Sequence, residues 1–179
     1  MAENMNIWRF AKEQPVLREI FARKLGVPPI VAQILANRGI LTLDEARIFL
    51  NGDFSHLHNP FLLKDMDRAV ERINRALAAG EKIIVFGDYD ADGITSTALL
   101  LGVLREMGAD AGCYIPSRLE EGYSLNIKAL EKLIDRGVSL IITVDCGVAA
   151  AEEIRFALER GIDVVVTDHH EPPDELPPA

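Results

Sequence analysis

Cysteine is scarce in this chain, basic residues are scarce in its second half, and each shortage excludes a class of protein. Cys113 and Cys146 are the only thiols among 179 residues. Both fall in apolar, strand-like runs, and two isolated cysteines make neither a zinc-ligand spacing nor a disulfide framework. Long hydrophobic runs are missing too: no apolar stretch approaches the ~20 residues that span a bilayer. The segment Met1–Gln14 is polar with charges of both signs, so it does not read as a signal peptide. The expectation is a soluble protein of a reducing cytoplasm with no membrane partner.

The shortage of positive charge is local. Residues 81–179 hold 8 Lys and Arg against 19 Asp and Glu, a net −11, whereas residues 1–80 hold 11 against 9, a net +2. Phosphate contacts need Lys and Arg, so the second half does not grip a polyanion unaided. Bound cations would reverse that field locally, and a nucleic acid therefore stays open as a substrate.

Hydrophobic residues make up 49% of the chain, enough for one domain with a small helical annex. The periodicity changes near residue 80. Before it the pattern is helical: Pro15–Leu25 ending at Gly26, Ile30–Arg38 ending at Gly39, and a helix through Leu50 opened by the capping box Thr42-Leu-Asp-Glu45. A turn-rich linker covers Asn51–Pro60, and Met66–Ala79 is a further helix closed by Gly80. After it, strands at Lys82–Phe86, Ala111–Ile115, Leu140–Val144 and Val164–Thr167 alternate with helices at Thr95–Met107, Asn126–Arg136 and Ala149–Arg160. That alternation predicts an α/β fold, a parallel sheet flanked by helices, preceded by a small helical N-terminal region. The boundary is expected at 58/59, giving a helical region 1–58 and an α/β domain 59–179. The proline-rich end, Glu171–Ala179, reads as a loop that leads to another element, so a truncated chain is expected.

Parallel sheets place ligands outside the carboxyl ends of their strands. Three clusters fall at that edge: Gly87-Asp-Tyr-Asp-Ala-Asp-Gly93, Asp145-Cys-Gly147 and Asp168-His-His170. Asp88, Asp90 and Asp92 alternate through a strand-to-helix turn, a set of hard oxygens suited to Mg²⁺ or Mn²⁺. An N-cap explains one Asp, not three. Asp145 closes an apolar strand, where it can bridge cations or cap the helix at 149. Asp168, His169 and His170 offer a metal ligand, a group that orients it and a group that faces substrate. Cys146 reads as a packing residue, because neighbouring carboxylates disfavour its thiolate. His56 and His58 read as surface loop. Trp8 and Phe10 could stack a base, but an aromatic core is preferred. Arg118, in the loop after the second strand, either holds a phosphate or pairs with Glu120 or Glu121.

These residues carry a resemblance. Gly87–Ser96, Asp145-Cys-Gly and Asp168-His-His are similar to the first three motifs of the Asp-His-His phosphoesterases, most of all to RecJ-type single-strand-specific exonucleases. Leu35–Ile40, Pro60…Asp65-Met-Asp67 and Arg118…Glu121-Gly-Tyr123 are RecJ-like as well. The resemblance implies a phosphodiesterase with two divalent cations, Mn²⁺ or Mg²⁺, that degrades single-stranded DNA from the five-prime end in repair and recombination. A helicase or single-strand-binding protein is the implied partner. By motif, Asp90, Asp92, Asp145 and His169 would hold metal, while Asp168 and His170 would orient ligand and substrate. Asp88 matches the motif and is grouped with the catalytic residues. Ser124 stands where the family usually has Gly. A fourth acidic motif and the family's later domains do not appear in these 179 residues, so the chain by itself is expected to be inactive.

Two other readings compete. One is an Asp-His-His enzyme acting on small nucleotides, oligoribonucleotides or pyrophosphate, against which the RecJ-like lead-in argues. The other is a non-catalytic metal-binding or interaction module. The stretch Asp90-Ala-Asp92-Gly-Ile-Thr95 also resembles the haloacid-dehalogenase nucleophile motif. That chemistry wants its first Asp at the strand end and a lysine beyond; here Asp88 holds the strand end and no lysine follows Lys132.

Overall fold

The structure, a computed structural model, describes residues 9–117, 121, 122 and 124–179. The chain divides into two compact units, one ending at Leu62 and the other running from Leu63 to Ala179. No helix among the described residues is long and apolar enough to cross a membrane.

The first unit is a trio of short helices, α1 (Pro15–Leu25), α2 (Pro29–Asn37) and α3 (Leu43–Asn51). Their apolar stripes meet around Phe21, Ala32, Leu35 and Ala46, flanked by Leu17, Leu25, Val31 and Leu43. Proline opens α1 and α2, where a missing N–H costs nothing, and Gly26 closes α1 in the left-handed region. The capping box forms in both directions: Glu45 N–H donates to Thr42 Oγ1 at 3.2 Å, and Thr42 N–H donates to Glu45 Oε2 at 3.0 Å. The expected linker contains one 3₁₀ turn, Phe54–His56, and ends where a second, Pro60–Leu62, begins. His56 folds back on Asp53 there, a local turn contact. Phe10 is 88% exposed, which corrects its expected place in an aromatic core. Trp8 lies outside the described residues.

The second unit is built on a four-stranded sheet, β1 (Ile83–Gly87), β2 (Ala111–Tyr114), β3 (Leu140–Val144) and β4 (Asp163–Thr167), ordered β2-β1-β3-β4 with every pairing parallel. Central strands β1 and β3 are buried throughout, which is why both read as unbroken apolar runs. Alternate residues feed opposite faces. Ile83, Val85, Leu140 and Ile142 pack with Ala76 of α4 (Met66–Ala79) and with Leu101 and Leu104 of α5 (Ala91–Glu106). Ile84, Phe86 and Ile141 pack with Leu130 and Leu133 of α6 (Ile127–Asp135) and with Ile154 and Ala157 of α7 (Ala151–Leu158). Arg72 ties α4 to the sheet, its guanidinium shared between Glu81, just before β1, and Asp163, the first residue of β4.

One boundary differs in a way that matters. Helix α5 begins at Ala91, four residues before the expected Thr95, because Asp90 caps it: Gly93 N–H donates to Asp90 Oδ1 at 3.0 Å. Gly93 permits this turn by lacking a side chain. A Cβ there would stand 2.5–2.7 Å from the backbone of Asp88. A Cβ on Gly87 would run into the Thr97 hydroxyl. The two glycines thus press the start of α5 against the end of β1.

Ser124 sits at φ 68°, in the left-handed region. That conformation costs a side-chain-bearing residue about 1–2 kcal/mol, while glycine gives back about 0.5–1 kcal/mol of it in unfolded-chain entropy. Ser124→Gly is therefore expected to raise the unfolding free energy by about 0.5–1 kcal/mol in urea titrations. A variant no more stable than the parent would show that the serine hydroxyl repays the strain locally.

Candidate metal centre

Register alone lines up the acids. Gly87 pairs with Val144, and Val144 pairs with Thr167. The next residue of each strand is Asp88, Asp145 and Asp168, so three carboxylates stand side by side at the carboxyl edge. The ladder runs one bond further, from Asp145 N–H to the Thr167 carbonyl at 3.0 Å. There the chain turns sharply, with Asp145 at φ 61°, a left-handed conformation that Asp tolerates better than most residues. Gly147, at φ 107°, follows so closely over Thr143 that a Cβ would meet its hydroxyl at 2.9 Å.

The two histidines complete two acid–imidazole pairs. His169 Nε2 lies 2.9 Å from Asp145 Oδ1, and His170 Nδ1 lies 2.7 Å from Asp168 Oδ1. In each pair the acid is buried, with side chains 5% and 2% exposed, and the ring reaches outward, 72% and 49% exposed. The rings lean together, centroids 4.8 Å apart. Ligand atoms of Asp145, His169 and His170 all fall within 4.8 Å of one another. That is close enough for one cation to touch all three.

The acids do not share the same electrostatic fate. Asp168 accepts from the Val148 N–H at 2.9 Å and from the His170 N–H at 3.1 Å, besides the His170 ring. Burial pushes its carboxyl up, but these donors outweigh it and hold Asp168 below the ordinary range. In return, the Asp168 carboxylate holds the His170 ring above the ordinary histidine value. Asp145 goes the other way. Burial pushes it up, the His169 ring pulls it down, and the charges of Asp90 and Asp92 push it up again. Asp145 is not a helix cap: α7 is preceded by Ala150 and has no side-chain cap. A buried carboxylate pressed by two other acids and faced by an imidazole is a donor set that a divalent cation fits.

The remaining residues fall around this pair of pairs. Asp88 is 4% exposed, and its Oδ1 accepts from the Tyr89 N–H at 2.7 Å. Asp90 caps α5 through Oδ1, and Asp92 is exposed in the first turn of that helix. Neither belongs to the tight Asp145–His169–His170 group, though both charges reach Asp145. Cys146 is buried, its thiol pushed up to about 12 by burial and by the charges of Asp168, Asp88 and Asp145. It is a packing residue, as its sequence context indicates. A groove of about 620 Å³ along α4 and β4 takes in only Asp168 of these residues. The candidate centre is instead an open rim at the sheet edge.

Arg118 lies outside the described residues. Glu120, one of the two partners offered for it, lies outside them as well; the other, Glu121, sits in a cluster that the sequence patterns did not single out. Tyr114 Oη donates to Glu121 Oε1 at 2.6 Å, Lys132 Nζ donates to the same oxygen at 2.7 Å, and Ser117 N–H donates to Oε2 at 3.0 Å. Lys132 and Tyr114 donate so strongly that the Glu121 carboxyl drops to about 2.

The family model described as the DHH family, N-terminal domain, matches residues 82–179. The single-stranded-DNA-specific exonuclease RecJ of Bacillus subtilis is 43% identical over 95% of this chain, and that of Haemophilus influenzae is 46% identical over 68%. The chain spans only 22% and 21% of the length of these two relatives. Among solved structures, RecJ in complex with Mn²⁺ from Thermus thermophilus is 32% identical. It covers 94% of this chain and 23% of its own, with a TM-score of 0.67.

Two measurements test the local architecture. Gly93→Ala is expected to lower the unfolding free energy by about 1–3 kcal/mol through forced overpacking. Gly102→Ala, in the same helix with nothing within 4 Å of the added carbon, is expected to be neutral or stabilising. Equal effects would mean the Asp88 turn has room to spare. For Glu121, a folded-state value near 2 against an ordinary 4.5 means its contribution is complete above pH 4.5 and fades as pH falls toward 2. A carboxyl-carbon NMR titration with its midpoint near 4.5 would contradict the cluster.

Proposed function

The chain belongs to the DHH family, and from that premise we propose that it carries the metal-binding part of a single-stranded-DNA-specific exonuclease. The observation that carries the reading is the convergence of Asp145, His169 and His170 at the sheet edge, with Asp145 buried and pressed toward protonation by neighbouring acids. The likeness to RecJ exonucleases over nearly the whole chain supports the substrate class. Degradation is assigned to start at the five-prime end. Its work is DNA repair and recombination in the cytoplasm, with a helicase or single-strand-binding protein delivering the strand.

Asp90, Asp92, Asp145 and His169 are the residues we assign to two divalent cations, Mn²⁺ or Mg²⁺. When bound, such ions supply a lowered pKa for water at neutral pH and neutralise charge developing on phosphate. The protein's own groups do the positioning. The backbone of Asp145 is held by its left-handed turn and by its N–H bond to the Thr167 carbonyl, and its carboxylate faces His169 Nε2. Asp168 accepts three hydrogen bonds and fixes the His170 ring through Nδ1. On this reading His170, beside the assigned ligands, is the donor to a phosphate oxygen. Asp88, adjacent in the same row, is grouped with the catalytic acids. Arg118 is assigned to a phosphate of the strand.

Asp145→Asn tests this without disturbing the turn, since Asn also tolerates φ near 60°. Calorimetric titration with Mn²⁺ is expected to give a Kd of about 10⁻⁴–10⁻³ M for the unsubstituted 179-residue chain. The Asn variant is expected to bind at least about tenfold more weakly, with unchanged circular dichroism. Equal Mn²⁺ binding by the two would remove Asp145 from the site. Failure of the protein, expressed from its complete reading frame, to shorten labelled single strands in Mn²⁺ would sink the exonuclease reading.

A further inference from the structure

We infer that Thr167 is a positioning residue for the metal centre, its hydroxyl fixing the end of β4 on β3 where His169 meets Asp145; the inference rests on the metal-binding reading above. Among the described residues β4 ends the sheet and is paired with β3 alone. Both acid–imidazole pairs depend on where the end of this edge strand lies, because Asp168, His169 and His170 follow it directly.

Thr167, the last residue of β4, reaches across to β3 with both its side chain and its main chain. Its hydroxyl donates to the Thr143 carbonyl at 2.6 Å, and its carbonyl accepts the Asp145 N–H at 3.0 Å. Those two partners stand on either side of Val144, the residue that pairs with Thr167 in the register. The strand end is thus held just before and just after its own partner. Asp168 then accepts the Val148 N–H at 2.9 Å, and His169 Nε2 lies 2.9 Å from Asp145 Oδ1. Asp145 is therefore met from the end of β4 by Thr167 at its main chain and by His169 at its carboxylate.

The end of β4 needs such a tie. β1 and β3 are buried throughout, whereas the first and last residues of β4 are exposed. Exposed strand ends open most readily, and the crowded carboxylates of Asp88, Asp145 and Asp168 favour opening until a cation offsets them. An ion's apparent affinity falls with the fraction of molecules whose site is closed. One net hydrogen bond shifts such a local equilibrium by roughly fivefold, so the Thr167 hydroxyl is read out in metal affinity.

The experiment uses the protein expressed from its complete reading frame, with Mn²⁺ alone as the probe. Thr167→Val keeps the β-branched shape and removes the hydroxyl, whereas Thr167→Ser keeps the hydroxyl and gives up strand propensity. Calorimetric titration is expected to give Thr167→Val a Kd about three- to fivefold above the parent, and Thr167→Ser a Kd within about twofold of it. The urea midpoints are expected in the opposite order, Thr167→Ser below Thr167→Val. Amide exchange at Asp145, whose N–H is bonded to Thr167, is expected to accelerate in Thr167→Val and to stay at the parent rate in Thr167→Ser. A role confined to strand stability would rank the two variants alike in affinity and in urea, and that result overturns the inference. If the unsubstituted protein binds no Mn²⁺, the metal-binding reading falls and the role of Thr167 falls with it. Mn²⁺ binding that is as tight in Thr167→Val as in the parent sinks the positioning role alone.

Discussion

Crowded carboxylates at one edge of a parallel sheet are the constraint on which the functional half of this protein turns. Asp88, Asp145 and Asp168 follow paired residues of three adjacent strands, and Asp90 and Asp92 sit in the turn and helix start just beyond Asp88. Buried negative charge is tolerated only with compensation. Main-chain N–H groups supply much of it: Tyr89 to Asp88, Gly93 to Asp90, Val148 and His170 to Asp168. Of the three buried acids, Asp145 is the one whose side chain is faced by an imidazole in place of main-chain N–H donors among the described residues, and burial pushes its carboxyl up, which a cation would offset.

The scaffold around that edge is built to hold it still. β1 and β3 are buried along their whole length and covered on both faces by helices. Gly87 and Gly93 let α5 start against the end of β1, which decides where Asp90 and Asp92 stand. Gly147 lets the turn after Asp145 pass close over Thr143. At the opposite edge, Arg72 joins α4 to the start of β4 through Asp163 and to the approach to β1 through Glu81. Rigidity of this kind is what a metal site requires, with donors fixed before the ion arrives.

Much of this was legible from residue order. Alternating apolar runs and glycine-closed helices determined the parallel α/β fold, and the position of each acid immediately after an apolar run placed all three clusters at one edge. The Thr42–Glu45 capping box and the inert burial of Cys146 were equally local and equally readable. Local patterns carry such features because helix caps, strand faces and turn residues depend on neighbours a few positions away.

What only the tertiary structure decided is how those residues pair. Sequence spacing cannot say that His169 faces Asp145 while His170 faces Asp168, since that follows from β3 and β4 lying adjacent and in register. Nor can it say that Asp90 caps α5 through Oδ1, which moved the helix start four residues toward the strand. Glu121 is the sharpest case. Tyr114, Ser117 and Lys132 lie up to 11 residues away on three different segments. Hydrogen bonds between distant segments depend on how strands and helices are packed, and that information exists only once the chain has folded.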